Sequence, residues 1–175
     1  LTADPNNASF SIQTGEIRSR GIELEAKAAV NANINVTASY TYTDAQYQHD
    51  TTFNGKRPAE VPRNMASLWA DYTFHETALS GLTVGAGARY VGSTVSYYKN
   101  DTSTGKKDDS FNVAGYALMD ATVKYDLARF GLPGSSIGVN VNNLFDREYV
   151  SSCYSEYACY WGAERQVVAT ATFRF

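Results

Sequence analysis

Long apolar runs are missing from this chain. No window approaches the ~18 apolar residues of a membrane helix, and the mean hydropathy is −0.35. A helical membrane span is therefore excluded. An excess of positive charge is missing too. Fifteen Lys and Arg against eighteen Asp and Glu leave a net charge of −3, which argues against nucleic acid as a partner. Only two histidines are present, His49 and His75, and neither has metal-ligand spacing to another His or Cys. No metal bound by protein side chains is expected. His49-Asp50 lies beside a hydroxyl residue, but nothing sets a nucleophile or an oxyanion hole near it, so no catalytic residues are assigned. Gly85 and Gly87 make no phosphate loop, since no helix follows them. The opening LTADPNNASF has no basic region and no apolar core, so a signal peptide is not expected there. Either a leader has been removed or the chain is a piece of something longer.

Aromatic residues and alternation are what the chain does have. It carries 13 Tyr, 8 Phe and 2 Trp. About seven segments place apolar and polar residues on opposite parities, as a strand with one greasy and one wet face must. Ile22, Leu24, Ala26, Ala28 and Val30 oppose Glu23, Glu25 and Lys27. Ile34, Val36, Ala38, Tyr40 and Tyr42 oppose Asn35, Thr37, Ser39 and Thr41. Ala66 to Phe74 and Leu82 to Tyr90 repeat the pattern. So do Val113 to Leu127, Ile137 to Phe145 and Gly162 to Phe175. The last ends on Phe173 and Phe175, both on the apolar parity, as at a membrane interface. Five of the seven segments run nine residues and two run longer. That is close to the ~9–11 of a tilted membrane strand and longer than the ~5–6 usual in soluble sheets.

Connections alternate in length. Asn31 to Asn33, His75 to Gly81 and Ala128 to Ser135 are short and rich in turn residues. Gln48 to Arg63, Thr94 to Asn112 and Ser151 to Trp161 are long and polar. Short turns on one side and long loops on the other fit an all-β, antiparallel, up-and-down transmembrane β-barrel of the outer membrane, with aromatic girdles at both interfaces. Seven strands is an odd count, and an open sheet edge in lipid leaves backbone groups unpaired. Leu1 to Gln13 reads as a polar external loop more than a strand. The expected fold is thus about seven C-terminal strands of a larger barrel. The alternative is a complete eight-stranded barrel with a structural or adhesin role, which needs a membrane strand within Leu1 to Gln13. A barrel enzyme would need a catalytic set at the rim.

The stretch VNVNNLFDREYVSSCYSEYACYWGAERQVVATATFRF resembles the C-terminus of TonB-dependent outer-membrane receptors. Its core is Asn143-Leu144-Phe145-Asp146 with Tyr149, followed by a loop, a Gly, an Arg and a terminal aromatic strand. GEIRSRGIELEAKAAV, SYTYTDAQY, VPRNMASLWADYTF and YDLAR look like the ferric hydroxamate branch of that family, nearest its ferrichrome receptors. The loops 48–56 and 93–112 resemble it least. Thr170 stands where the family's assembly signal often carries Gly. The resemblance implies a 22-stranded barrel filled by an N-terminal plug domain absent from this chain, residues 1–175 being its C-terminal segment. It implies uptake of a ferric hydroxamate siderophore, of ferrichrome or ferrioxamine type, as the transported ligand. No cofactor is held by the protein itself, because the siderophore keeps the iron. The implied partners are TonB through the missing N-terminal part, outer-membrane lipid and lipopolysaccharide, and phage or bacteriocins.

Cys153 and Cys159 are the only cysteines. A C-x5-C pair in the last long loop is open to three readings: two free thiols, a metal pair or a disulfide. A cell-surface loop is oxidising, which favours the disulfide, and no second ligand cluster lies nearby. The resemblance places a disulfide here too. Closing so short a ring contributes on the order of 2 kcal/mol. The resemblance also implies that the aromatic after the first cysteine, Tyr154, touches the siderophore. Tyr157, Tyr160 and Trp161 lie in or just beyond the ring, and the alternative for all four is loop packing. Glu23, Glu25, Lys27, Asp71, Arg89, Asp120, Lys124 and Arg174 are expected to face the lumen as solvated or paired wall residues. Gly85 and Gly87 are expected there as room for a plug. Arg18 and Arg20 fall on the apolar parity above the apolar band, at the base of a loop or against lipopolysaccharide phosphates.

Overall fold

A computed structural model describes residues 2–4, 7–12, 15–49, 53–76, 78–97 and 110–174. Leu1, Gln13, Asp50 and the terminal Phe175 lie outside them. The described residues form thirteen strands. They are β1 (Thr2–Asp4), β2 (Asn7–Ile12), β3 (Glu16–Ala29), β4 (Ile34–Gln48), β5 (Asn64–Thr73), β6 (Leu82–Val91) and β7 (Thr94–Tyr97). The rest are β8 (Ser110–Val113), β9 (Tyr116–Asp126), β10 (Ser136–Asn142), β11 (Val150–Ser155), β12 (Ala158–Trp161) and β13 (Gln166–Thr172). Seven of them make one antiparallel sheet in the order β13-β10-β9-β6-β5-β4-β3. These are the seven alternating segments of the sequence, in chain order. The other six pair as three small hairpins, β1-β2, β7-β8 and β11-β12.

Register explains why alternation reads so clearly. One row crosses all seven strands: Ala28, Val36, Ala70, Ala86, Ala121, Val141 and Val167 stand side by side. A slip of one residue anywhere would turn a whole strand inside out. This face is unburied, with Leu24 61% exposed and Leu68 54% exposed. In water so much bare apolar surface would be a liability; in a bilayer it is the outer wall of a barrel. The other face is tied by polar pairs between neighbouring strands. Ser39 and Ser67 hydroxyls meet at 2.7 Å, Asn35 donates to Asp71 at 3.0 Å, and Thr122 donates to Asn140 at 2.7 Å.

β3 and β4 run 14 and 15 residues. A tilted crossing needs only ~9–11, so their loop-side ends rise clear of the apolar band. Arg18 and Arg20 lie on that extension, opposite Gln46 and Asp44. At the other end the turns are tight. The Asn31 side chain accepts the backbone N–H groups of Asn33 and Ile34, which closes the β3–β4 turn without a longer loop.

The structure corrects four readings of the sequence. The opening residues, which read as loop more than strand, hold a hairpin of β1 and β2. Its strands, of three and six residues, are too short to span a bilayer and pair with each other, so among the described residues of this segment none forms the eighth wall strand of the small-barrel alternative. Val113 does not begin β9; it ends β8 in a separate hairpin. Leu127 and Phe145 lie beyond the ends of β9 and β10, because the chain turns there. Gly85 and Gly87 do not leave empty room on the lumen face. A Cβ at Gly85 would come 2.8 Å from Cζ2 of Trp69, and one at Gly87 2.5 Å from Cε3 of the same ring. The indole lies over both glycines and needs them bare.

Candidate ligand rim at the loop end

The chain leaves β10 through Asn143-Leu144-Phe145-Asp146, and this turn connects wall to rim. Asn143 and Asp146 have φ of 51° and 54°, a left-handed conformation that Asn and Asp tolerate better than other side-chain-bearing residues. Asn143 is buried. Its amide donates to the carbonyls of Arg147 and Ala163, and its Oδ1 accepts the Arg147 N–H. Asp146 accepts the backbone N–H of Arg165 at 2.7 Å, and its other oxygen lies 3.7 Å from the Arg165 guanidinium. These two side chains tie the start of the last long connection to its end.

Below the turn sits an ion pair on the lumen face. Asp120 of β9 receives a two-pronged contact from Arg89 of β6 and the Asn143 backbone N–H at 3.0 Å. The fork matches the planar guanidinium to the carboxylate. The Tyr149 ring packs on Tyr116 with centroids 4.2 Å apart. It also covers Gly162, where any side chain would strike the ring. Of the expected lumen charges, Arg89 and Asp120 are thus brought together, as are Glu25 and Lys27 at 2.9 Å. Asp71 meets Asn35 rather than a cation.

Above the turn, β11 and β12 place Cys153 opposite Cys159, and the two are joined as a disulfide. Cys153 is 3% exposed. The register with β12 breaks between Cys153 and Ser155, and Tyr154 at that break is 73% exposed. Tyr157 sits in the two-residue turn. Tyr160 and Trp161 lie on β12, Trp161 opposite Val150. All four rings are open to solvent. The structure therefore gathers Tyr154, Tyr157 and Trp161 on one small, covalently closed hairpin.

Sequence patterns did not reveal the neighbouring loops. Tyr47, Phe53 and Tyr97 form a ring cluster, with centroids 5.5 Å and 5.1 Å apart. The Lys56 ammonium stands 5.9 Å from the Phe53 centroid and 5.5 Å from that of Tyr97. Arg57 donates to the carbonyls of Val61 and Ser93, and the Tyr97 hydroxyl donates to the Arg57 carbonyl at 2.6 Å. Burial pulls the Arg57 guanidinium below its ordinary pKa. The Arg63 charge adds to that, and Tyr97 and Asp44 oppose it; it stays cationic at neutral pH. The only signal for this cluster was its aromatic content, because Tyr97 joins Tyr47 and Phe53 from a different connection.

The two histidines lie at opposite ends of the sheet. His49 is on the loop side, 3.6 Å from Glu16. His75 is on the turn side, with its Nε2 3.0 Å from the Ala32 carbonyl. Among the described residues no group of three His, Cys, Asp or Glu is placed to hold a metal.

Comparison with known proteins agrees with this geometry. The family profile "TonB dependent receptor-like, beta-barrel" matches residues 1–144. A ferrichrome outer membrane transporter/phage receptor of Escherichia coli is 59% identical over 175 residues, covering 100% of this chain and 22% of that protein. A ferrioxamine B receptor of Salmonella typhimurium is 41% identical over 162 residues, 92% of this chain and 22% of its own length. Among solved structures, the ferripyoverdine receptor of the outer membrane of Pseudomonas aeruginosa superposes with a TM-score of 0.72. It is 25% identical and covers 94% of this chain and 20% of the receptor. The chain thus spans about a fifth of the length of these relatives, which are transporters and receptors rather than enzymes. The seven-stranded sheet with its bare apolar face and its rim of short paired strands belongs to the TonB-dependent receptor family, as a stretch of its bacterial outer-membrane β-barrel.

Proposed function

We propose that this chain is the C-terminal part of the barrel of a ferric hydroxamate receptor that imports its ligand with energy delivered through TonB. The observation that carries this is the 59% identity to a ferrichrome transporter along the whole chain, loop hairpin included. The open edges of the sheet, β3 and β13, support a longer barrel, because lipid does not tolerate unpaired strand edges. An N-terminal plug and the remaining strands then belong to the rest of the polypeptide. The external aromatics hold the iron chelate by ring contact, Tyr154 foremost, with Tyr157 and Trp161 at its margin. Aromatic side chains on a closed hairpin lose little entropy on binding. The siderophore keeps the iron coordinated throughout, so the protein supplies shape and hydrogen bonds, not metal ligands. Lipopolysaccharide phosphates meet the exposed Arg18 and Arg20, and phage or bacteriocins use the same outer loops.

The test is growth. A strain lacking its own hydroxamate receptors is starved of iron, given the full-length gene, and supplied in turn with ferrichrome, ferrioxamine and a catecholate. Growth on a hydroxamate and not on the catecholate is expected. Failure on every hydroxamate overturns the substrate assignment.

A further inference from the structure

We infer that β7 is the seat on which the disulfide-closed hairpin rests, with Ser96 and Thr94 as positioning residues for Tyr154. The inference rests on the reading that Tyr154 touches the ligand.

Most of this molecule has no interior, yet the loop end has one. Thr94 is 6% exposed and Ser96 0% on β7; Val113 of β8 is 6% exposed, and Cys153 and Ser155 of β11 are 3% and 8%. β11 packs on β7 and reaches β8, so these residues form the floor under the hairpin. Four of the five are small, which lets the two hairpins approach closely. A larger side chain has nowhere to go in so tight a contact.

The Thr94 Oγ1 and Ser96 Oγ atoms are buried without a hydrogen-bond partner. A buried unpaired hydroxyl is costly, so other contacts must hold β7 where it is. They come from the β4–β5 loop. Glu60 donates its N–H to Val95, Arg57 reaches the Ser93 carbonyl, and the Tyr97 hydroxyl reaches the Arg57 carbonyl. β7 is therefore fixed from one side and carries the hairpin on the other. Burial shows the result. Cys153 and Ser155 are seated inward, and Tyr154, at the break in register between them, is left 73% exposed. The disulfide closes the ring, but the seat sets which way the ring faces.

The experiment uses the full-length receptor and ferrichrome as the probe. Affinity is measured for wild type, Tyr154→Ala, Ser96→Leu, the double variant and Ser96→Ala. Dithiothreitol reduction of the Cys153–Cys159 bond in the folded receptor is followed in parallel. Loss of the Tyr154 ring is expected to weaken binding about tenfold. Ser96→Leu should cost as much, and the double variant no more than either single. Ser96→Ala should bind as wild type, because size and not the hydroxyl matters. Reduction should be several-fold faster in Ser96→Leu. Fully additive losses in the double variant, or an unchanged reduction rate, overturn the seat. Wild-type affinity in Tyr154→Ala overturns the ligand reading instead, while the reduction rate still judges the seat. If Ser96→Leu does not assemble, Val113→Ala, which hollows the same floor, serves in its place with the same outcomes.

Discussion

The wall and the rim of this molecule are built on opposite principles. The wall is a two-sided sheet with hardly any interior. Its residues are positioned by backbone pairing and strict alternation, and lipid supplies the apolar surroundings that a core would supply elsewhere. The rim is irregular backbone with a small true core: Thr94, Ser96, Val113, Cys153 and Ser155 are buried where β11 packs on β7 and β8. Its strands are four to six residues long, too short to hold themselves. A covalent bond, a ring cluster and side chain–to–carbonyl hydrogen bonds replace ladder length. The wall therefore tolerates many side chains so long as polarity is right. The rim depends on particular ones.

The largest effect should come from breaking polarity in the wall. Ala86 stands in the middle of the apolar row, between Ala70 and Ala121. Ala86→Arg puts a charge at mid-bilayer and should cost ~2–4 kcal/mol. Thr170→Lys on the wet face of β13 should cost less than ~0.5 kcal/mol, as an ordinary surface change. Urea unfolding of the full-length receptor in lipid vesicles compares the two. Equal losses would mean that the bare face does not meet lipid.

A smaller loss is expected where the wall behaves like the rim. Gly87 lies under the Trp69 indole, and Gly87→Ala should cost ~1–3 kcal/mol by overpacking. In a Trp69→Val background the loss should shrink but not vanish, since the ring is gone while the Leu68 carbonyl oxygen still lies 2.6 Å from that Cβ. Additive losses in the pair would show that the indole is not what requires the glycine. This contact also marks what the sequence could and could not say. Alternation is a property of single strands, so Leu24, Leu68 and Val123 announced the wall without any pairing information. That Trp69 stands opposite Gly87 depends on the register between β5 and β6, which no single strand contains. The two glycines therefore read as open space. The rim was less legible for the same reason. Cys153, Cys159 and Tyr154 are close in sequence and could be singled out. Their floor comes from Thr94, Ser96 and Val113, some forty to sixty residues upstream, on strands with too few residues for a period to show.

Cutting the disulfide separates the two principles directly. Cys153→Ser should loosen the hairpin by roughly 2 kcal/mol in chain entropy and leave the wall intact, because no ladder of the seven-stranded sheet includes β11 or β12. Heat-modifiability on gels should be unchanged. Hydrogen exchange in residues 150–161 should speed up, and ferrichrome affinity should fall. A lowered unfolding midpoint for the whole barrel would show that the rim braces the wall.

The smallest effect is expected at the seam between the two regions. Arg165 and Asp146 are both about half exposed, and their charged groups lie 3.7 Å apart. An exposed pair of that kind contributes ~0–1 kcal/mol and is screened by salt. Asp146 also accepts the Arg165 backbone N–H at 2.7 Å, a bond that survives any change in the Arg165 side chain. Arg165→Gln should therefore shift stability by less than ~0.5 kcal/mol, and the shift should vanish at high salt. Asp146→Ala should do more, ~1–2 kcal/mol, because it leaves that N–H unpaired and puts alanine at a left-handed φ. If Arg165→Gln proves the costlier of the two at low and high salt alike, charge rather than backbone geometry is what fastens the last loop to the wall.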